Sequence, residues 1–429
     1  MNKKVEKLYD VIVIGGGASG MMAAARAGAR GLSVLLLEKN KRLGEKLRIS
    51  GGGRCNILNA EEDEKILLSK YGDASKFLHS LFAEFGMKDT FSFFEERDLL
   101  LHTEALKRTF PKSNKAEDVV KVLEEELKKG SVEIRCGTTI KSLETKDGSI
   151  VSVETETEKF ASKEYIVATG GLSHPETGST GDGFTWLSKL THTIVKPTPG
   201  LVPLASSSLW VRELSGVSLP DTSVSFFVDG KRAFVVKGRI LFTHFGLSGP
   251  LILNSSERVS DLLHEGVVTA GIDLFYTVDH GTLDKHIVSI FDKNKNKEFK
   301  NVLKEILPEG MSKGVLHYLE ETFDVEKKVH SLSKEERKKL VQLLKGLPAN
   351  IDGLMGFDKA IVADGGVLPE EIDFKTMRSK KCYNLFVTGD LLHISRLSGG
   401  YSLQLCWSTG YVAGSSVGPE IKIGTGDTL

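Results

Sequence analysis

Three consecutive glycines interrupt an apolar run near the N-terminus, DVIVIGGGASGMMAAARAGARGLSVLLLEK, residues 10–39. No other stretch limits the possible folds as tightly. A secretory leader is one reading, because MNKKVEK supplies a basic start and AAARAGA a stretch of small residues. A leader needs an unbroken apolar helix, and Gly15, Gly16, Gly17 and Ser19 oppose one. The stretch divides instead into a β-branched run at 11–14, a glycine turn, a helix of small residues over about 18–29, and a second apolar run at 33–37 that closes on Glu38. Strand, tight turn, helix and strand within about thirty residues make a nucleotide-binding βαβ unit.

Each residue type has a physical role there. Gly15 permits the sharp turn, Gly17 leaves a pyrophosphate unobstructed, and Gly20 lets the helix lie close on the strand. The first helical turn, with Ala18 and Ser19, offers free N–H groups and partial positive charge to phosphates. Glu38, followed by Lys39, stands where a ribose hydroxyl is held, which favours an unphosphorylated ribose.

The choice of nucleotide rests on distant segments. In YNLFVTGDLLHISRLSGGYSLQ, a β-type run ends at Gly389-Asp390, and Gly399-Gly400 opens a run with helical spacing at Tyr401. Flavoproteins with two dinucleotide-binding sites place such an acid on a ribityl hydroxyl and aim the next helix at the flavin pyrimidine ring, where reduction leaves negative charge. An earlier segment, EYIVATGGLSHP, sends a strand into Thr169-Gly170, the turn at which the chain re-crosses beneath such a cofactor. Three signals in this order favour FAD over NAD as the resident cofactor. In KLRISGGGRCNILN, Arg54 is expected on a phosphate and the glycines, with Asn56, close to the flavin. Cys55 is either a flavin contact or a buried small thiol.

Composition narrows the function classes. Basic and acidic residues balance at 57 each, so no overall field recruits nucleic acid or an anionic membrane. Four scattered cysteines form no CxxC and no metal pattern, which disfavours disulfide exchange and points to a cytoplasmic protein without a metal. No apolar run approaches the roughly eighteen residues of a membrane span. Residues 200–275 read as short strands with turns, and 280–346 as amphipathic helices, the last with a capping box at Ser333 and Glu336. The turn Ser248-Gly249-Pro250 reads as a helix start whose N–H groups suit flavin or a substrate carboxylate.

GGGASGMMAA, ISGGGRCNILN, ATGGLSHPETGSTGDGF, PGLVPL, LFTHFGLSGPLIL, DGGV, KTMRSKK and GGYSLQ together resemble the successive motifs of the BaiN/RdsA-type family of bacterial NAD(P)/FAD-dependent oxidoreductases. The resemblance runs from residue 10 to about 415. It implies an α/β fold in which a Rossmann-like FAD-binding domain is formed by both chain ends, 1–195 and 350–429, with an inserted β-barrel-like unit at 196–280 and a helical unit at 281–349. Where the family has Gly-Glu followed by acids, this chain has Gly389-Asp390, His393 and Arg396, which predicts a more basic flavin edge and an anionic substrate.

No second GxGxxG follows a strand, since GSTGDG at 178–183 has the wrong spacing. NAD(P)H, as reductant, is therefore expected to bind transiently across the flavin face. The expected reaction is hydride transfer to a small unsaturated or keto substrate, and it needs a proton donor. Tyr401, His393 and His244 are the candidates, with His174 behind them, each set against a purely structural role. Two alternatives stay open: a flavoenzyme of tRNA modification, which would carry a basic stripe, and a non-redox binding protein, which would tolerate decayed glycine motifs.

Overall fold

The computed structural model describes residues 5–419. They form two compact units, one from both ends of the chain, through Pro199 and from Ile361 onward, the other spanning Gly200–Ala360.

The first unit is built on a parallel sheet. Strand β1 (Val5–Ile14) is followed by helix α1 (Ala18–Ala29) and strand β2 (Val34–Leu37), as the glycine spacing requires. Strands β3 (Glu133–Arg135), β4 (Lys159–Val167) and β5 (Leu385–Val387) complete the order β3-β2-β1-β4-β5, with every pairing parallel. Val11, Ile12, Val13 and Ile14 are buried on both faces, which is why the run reads as continuous rather than alternating. The sheet continues at its β5 edge into the short antiparallel strands Arg378–Ser379 and Ile372–Asp373.

Small residues set the layer spacing. A Cβ on Gly20 would stand 1.8 Å from the Gly15 carbonyl oxygen, so only glycine lets α1 approach β1 this closely. The C-terminal helix α2 (Tyr401–Ser416) lies against α1 for the same reason: a Cβ on Gly410 or Gly414 would meet the carbonyl oxygens of Ser19 or Ala23 at 2.4 Å. These close approaches bring the last helix of the chain beside its first nucleotide-binding turn.

The second unit is a seven-stranded antiparallel sheet covered by helices. Its long strands are Ser218–Val228, Lys231–Thr243 and Val268–Asp273, and Leu347–Ile351 and Gly353–Leu354 also belong to it, slightly beyond the boundary expected at 349. The β-rich and helical segments share one core, to which Phe226, Phe242 and Ile272 of the strands and Phe299, Leu303 and Leu340 of the helices belong. The helices are short and one-sided, so they bury their apolar faces on the sheet. Ser333 accepts from the Glu336 N–H (3.1 Å) and its own N–H donates to the Glu336 carboxylate (2.6 Å), the expected capping box.

Among the described residues no helix is long and apolar enough to cross a membrane, and no His, Cys, Asp and Glu cluster is arranged to hold a metal ion.

Candidate functional site

The ends of β1, β4 and β5 gather the glycine turns of the first unit. Gly15 has φ +107°, and a Cβ there would lie 2.4 Å from the Ala168 carbonyl oxygen, so the first turn and the turn after β4 are pressed together. Gly17 caps α1, and an added Cβ there would find no atom within 4 Å among the described residues. This open position faces the first helical turn at Ala18, Ser19 and Gly20, whose N–H groups have no intrahelical acceptors. Glu38 is only 7 % exposed. Its two carboxylate oxygens accept from the N–H groups of Gly16 (2.6 Å) and Asn40 (2.7 Å), which hold it at the rim of the glycine turn. Lys39 turns away, donating to Asp182 (2.8 Å) and Thr180.

The second half of the site is assembled by Thr169, Gly170, Gly389 and Asp390. Gly389 has φ +66° and no room for a Cβ beside the Ser19 hydroxyl; its N–H donates to Thr409 Oγ1 (3.0 Å). Thr388 Oγ1 donates to Ser19 Oγ (3.3 Å), tying the end of β5 to α1. Gly170 has φ +74°, and the neighbouring Thr169 hydroxyl is buried with no hydrogen-bond partner among the described residues. Asp390 is paired with Arg396, which also donates to Ile394 O (2.6 Å) and Ser402 Oγ (3.0 Å). Arg396 is 4 % exposed, so it serves as the internal counter-charge of Asp390. The expected basic flavin edge is thereby corrected: this arginine's charge is neutralised inside the fold, and the inference of an anionic substrate loses its support.

Lys46 belongs to this group and was not singled out from the sequence. It is half-buried and donates from Nζ to Ser173 Oγ (3.0 Å). Burial lowers its pKa, against the opposing pull of Asp390. The available signal was its place at the head of the KLRISGGGRCN motif.

The loop of residues 51–59 packs on the start of α2. A Cβ on Gly400 would overlap the Leu58 carbonyl carbon at 2.3 Å, and Asn59 Nδ2 donates to Gly399 O (3.0 Å) and Leu106 O (3.1 Å). Asn56, with its amide turned to satisfy its neighbours, donates to Thr109 O and Leu58 O (both 3.2 Å) and accepts from Gly400 N (3.0 Å). Arg54 departs from the phosphate role expected of it. Its guanidinium is engaged by the Glu104 carboxylate and by Asn114 (2.8 Å), and it lies 4.0 Å over the Phe110 ring. A paired arginine stacked on an aromatic face satisfies both its donors and its weakly hydrated plane. Cys55 is fully buried, and burial pushes its thiol up to about 12. That environment keeps it protonated.

The proton-donor candidates are dispersed. Tyr401 begins α2 and is 7 % exposed; burial, and then the Glu61 carboxylate, raise its pKa. Tyr71 donates to its backbone carbonyl (2.9 Å). His393 is half-buried in the loop before α2, with its N–H donating to Val367 O (2.8 Å) and its ring Nδ1 buried without a partner among the described residues. His174 is engaged with Glu176 (2.8 Å). His244 lies in the second unit, exposed in the turn between Lys231–Thr243 and Gly246–Ser248. In that unit Gly249 and Pro250 do begin a helix, Pro250–Glu265.

The first unit's residues fit FAD. The space at Gly17 suits a pyrophosphate, the held Glu38 carboxylate a ribose, and the buried Thr169 hydroxyl, unpartnered among the described residues, is left for a ligand atom to satisfy.

Comparison with known proteins agrees. The model of the HI0933-like protein Rossmann domain matches residues 9–416. The 3-dehydro-bile acid delta(4,6)-reductase of Clostridium scindens is 28% identical over 407 residues, 94% of this chain and 97% of that protein. The ribosomal RNA dihydrouridine synthase of Escherichia coli is 29% identical over 406 residues, 94% of this chain and 96% of that one. A solved 3-ketosteroid delta1-dehydrogenase from Sterolibacterium denitrificans superposes with a TM-score of 0.54 at 13% identity, covering 96% of this chain and 99% of that one, a likeness of fold.

Proposed function

The chain belongs to the HI0933-like protein Rossmann-domain family, whose BaiN/RdsA-type motifs it carries, and is an FAD-dependent oxidoreductase; from that premise we propose that it is an NAD(P)H-fed reductase of a carbon–carbon double bond conjugated to a carbonyl in a small organic substrate. The observation that carries this reading is that two helices, α1 behind the open Gly17 and α2 behind Gly399-Gly400, pack side by side in one unit. The first would hold the pyrophosphate and the second the pyrimidine ring, each with a partial positive charge where negative charge sits.

Bound FAD supplies two-electron chemistry that no side chain offers. The chain's own residues do the rest. Gly15, Gly17, Ala18, Ser19 and Gly20 cradle the phosphates and Glu38 the ribose; Thr169, Gly170, Gly389 and Asp390 line the ribityl side; Asn56, Gly399, Gly400 and Tyr401 shape the approach to α2. Arg396 pairs with Asp390 and fixes the position of its carboxylate. Among the proton donors, His393 is favoured over Tyr401, whose raised pKa makes it a reluctant acid.

The substrate class follows from chemistry shared by the relatives' names. A delta(4,6) 3-keto compound and a uracil ring both present a double bond conjugated to a carbonyl, which is activated toward hydride. A second reading, with a uracil ring of RNA as acceptor, is favoured by the E. coli relative. The deciding experiment is an anaerobic absorption titration with NADH and then NADPH, followed by addition of an enone steroid or a uridine-containing RNA. Flavin bands bleached by a nicotinamide and restored by one acceptor support that acceptor; bands that neither nucleotide bleaches would refute the nicotinamide-fed reading.

A further inference from the structure

With Arg54 engaged by Glu104, another cation has to answer the negative charge of the cofactor, and Lys46 is placed for it. Lys46 lies in the short helix Glu45–Ile49. Just before that helix, the Gly44 N–H donates to Gly16 O (2.9 Å), and a Cβ on Gly16 would lie 2.4 Å from Leu43 Cδ2, so its start is fixed against the first glycine turn. From there the Lys46 side chain reaches the turn after β4. Its Nζ donates to Ser173 Oγ (3.0 Å) and would lie 4.0 Å from a Cβ on Gly170. That turn is itself pressed on the first one, since a Cβ on Gly15 would lie 2.4 Å from the Ala168 carbonyl oxygen. The ammonium is therefore held, from both ends of its side chain, by the two turns that meet at Gly15.

Its pairing is incomplete. An ammonium has three N–H donors. Among the described residues one of them reaches Ser173 Oγ, and no carboxylate oxygen lies within 4.0 Å of Nζ. The cations around it differ in this respect. Arg42 pairs with Glu45 (2.6 Å), Lys39 with Asp182 (2.8 Å), Arg48 with Glu117, and Arg396 with Asp390. Ser173 is fully buried, so Nζ is bonded to a group that water does not reach. A cation drawn out of water calls for an opposite charge, and oxidised FAD carries its negative charge on the diphosphate.

We propose that Lys46 is a cofactor-binding residue, whose ammonium pairs with the diphosphate of bound FAD. This rests on the cofactor part of the reading above and is independent of the acceptor. The surrounding charges set its pH behaviour: burial lowers the Lys46 pKa from its ordinary 10.5, Asp390 and Cys406 raise it, Arg396 lowers it and Glu176 raises it. A diphosphate favours the ammonium form. Above the lowered midpoint FAD binding must therefore take up a proton, and affinity falls as pH rises.

The test titrates flavin-free wild-type, Lys46→Met and Lys46→Arg proteins with FAD by fluorescence, and measures the reduction potential of each at saturating FAD. Lys46→Met should raise the FAD dissociation constant about tenfold or more, the loss of one charged hydrogen bond, and Lys46→Arg should recover most of it. The reduction potential should be the same in all three, because the diphosphate keeps its charge when the flavin is reduced. Flavin-free Lys46→Met should melt at the wild-type temperature or above, since it loses an unpaired cation. Wild-type affinity should fall between about pH 7 and about pH 10, and Lys46→Met should abolish that fall. Unchanged FAD affinity in Lys46→Met overturns the pairing. Weakened affinity with a lowered reduction potential overturns the diphosphate as the partner and puts the charge at the flavin ring. Weakened affinity in a flavin-free protein that melts well below the wild type assigns the loss to the fold and overturns the binding role. Equal wild-type affinity at the two pH values overturns the pairing even if both variants fail to fold. Wild-type protein that binds no FAD would refute the cofactor site itself, whereas each of the other results leaves that reading standing.

Discussion

Gly17→Ala separates the binding role of the glycine turn from its structural role. The backbone at Gly17 is φ −82°, ψ −169°, which alanine adopts without strain, and a Cβ there would meet nothing within 4 Å among the described residues. Restricting the unfolded chain stabilises by about 0.4–1 kcal/mol. Alanine is a poorer N-cap than glycine by a comparable fraction of a kcal/mol. The two effects offset, so the flavin-free protein should unfold within about 0.5 kcal/mol of the wild type, the range of a neutral surface substitution. The methyl group would nevertheless occupy the space assigned to the pyrophosphate. Losing one or two backbone hydrogen bonds to a phosphate, each about 1.5–3 kcal/mol when the acceptor is charged, corresponds to at least a tenfold rise in the FAD dissociation constant. Fluorescence titration of flavin-free protein with FAD, alongside urea unfolding of the same sample, measures both quantities. Unchanged FAD affinity would refute the placement of the pyrophosphate at α1, and a destabilised apoprotein would refute the claim that the position is open.

Gly20→Ala should behave in the opposite way, lowering the flavin-free protein's stability by about 1–3 kcal/mol in urea unfolding, because the new Cβ meets a backbone oxygen at 1.8 Å that cannot move aside. Arg396→Met should leave the largely covered Asp390 carboxylate unpaired, costing about 3–5 kcal/mol, and Asp390→Asn in the same chain should recover much of that loss in thermal unfolding. Glu371, which burial would push up, is instead held at about 2 by hydrogen bonds from Lys381, Thr193 and His192. A depressed carboxylate stabilises the fold fully above its unfolded value of about 4.3 and loses that contribution as pH falls toward 2, so Glu371→Gln should lower the melting temperature at neutral pH and flatten its decline across that acid window. The exposed Cys136 should react with a thiol reagent within minutes in native protein, whereas Cys55, buried and protonated, should react only on unfolding.

The parts of this molecule that could be read from the chain are those whose cause is local. The run from β1 to β2 is one: a glycine needed for a turn, a glycine needed for helix contact and a terminal acid lie within thirty residues, and the backbone permits few other solutions. The capping box at Ser333 and the helix opened by Pro250 are local in the same sense. The parts that escaped are decided by partners the chain meets only on folding. Arg54 sits fifty residues from Glu104, and nothing in GGGRCN announces that a carboxylate will reach it before a phosphate does. Arg396 lies six residues from Asp390, near enough to be noticed as an added charge, yet its sign of action depends on whether the loop folds it inward or leaves it at the edge. Buried inward, it pairs with the acid instead of drawing an anionic substrate. Lys46 and Asp364 show the same limit from the other side: an ordinary lysine and an ordinary aspartate acquire shifted proton affinities only because turns from distant segments remove their water. Glycine spacing therefore marks where a cofactor can lie, whereas the groups that tune the chemistry beside it are assigned by burial.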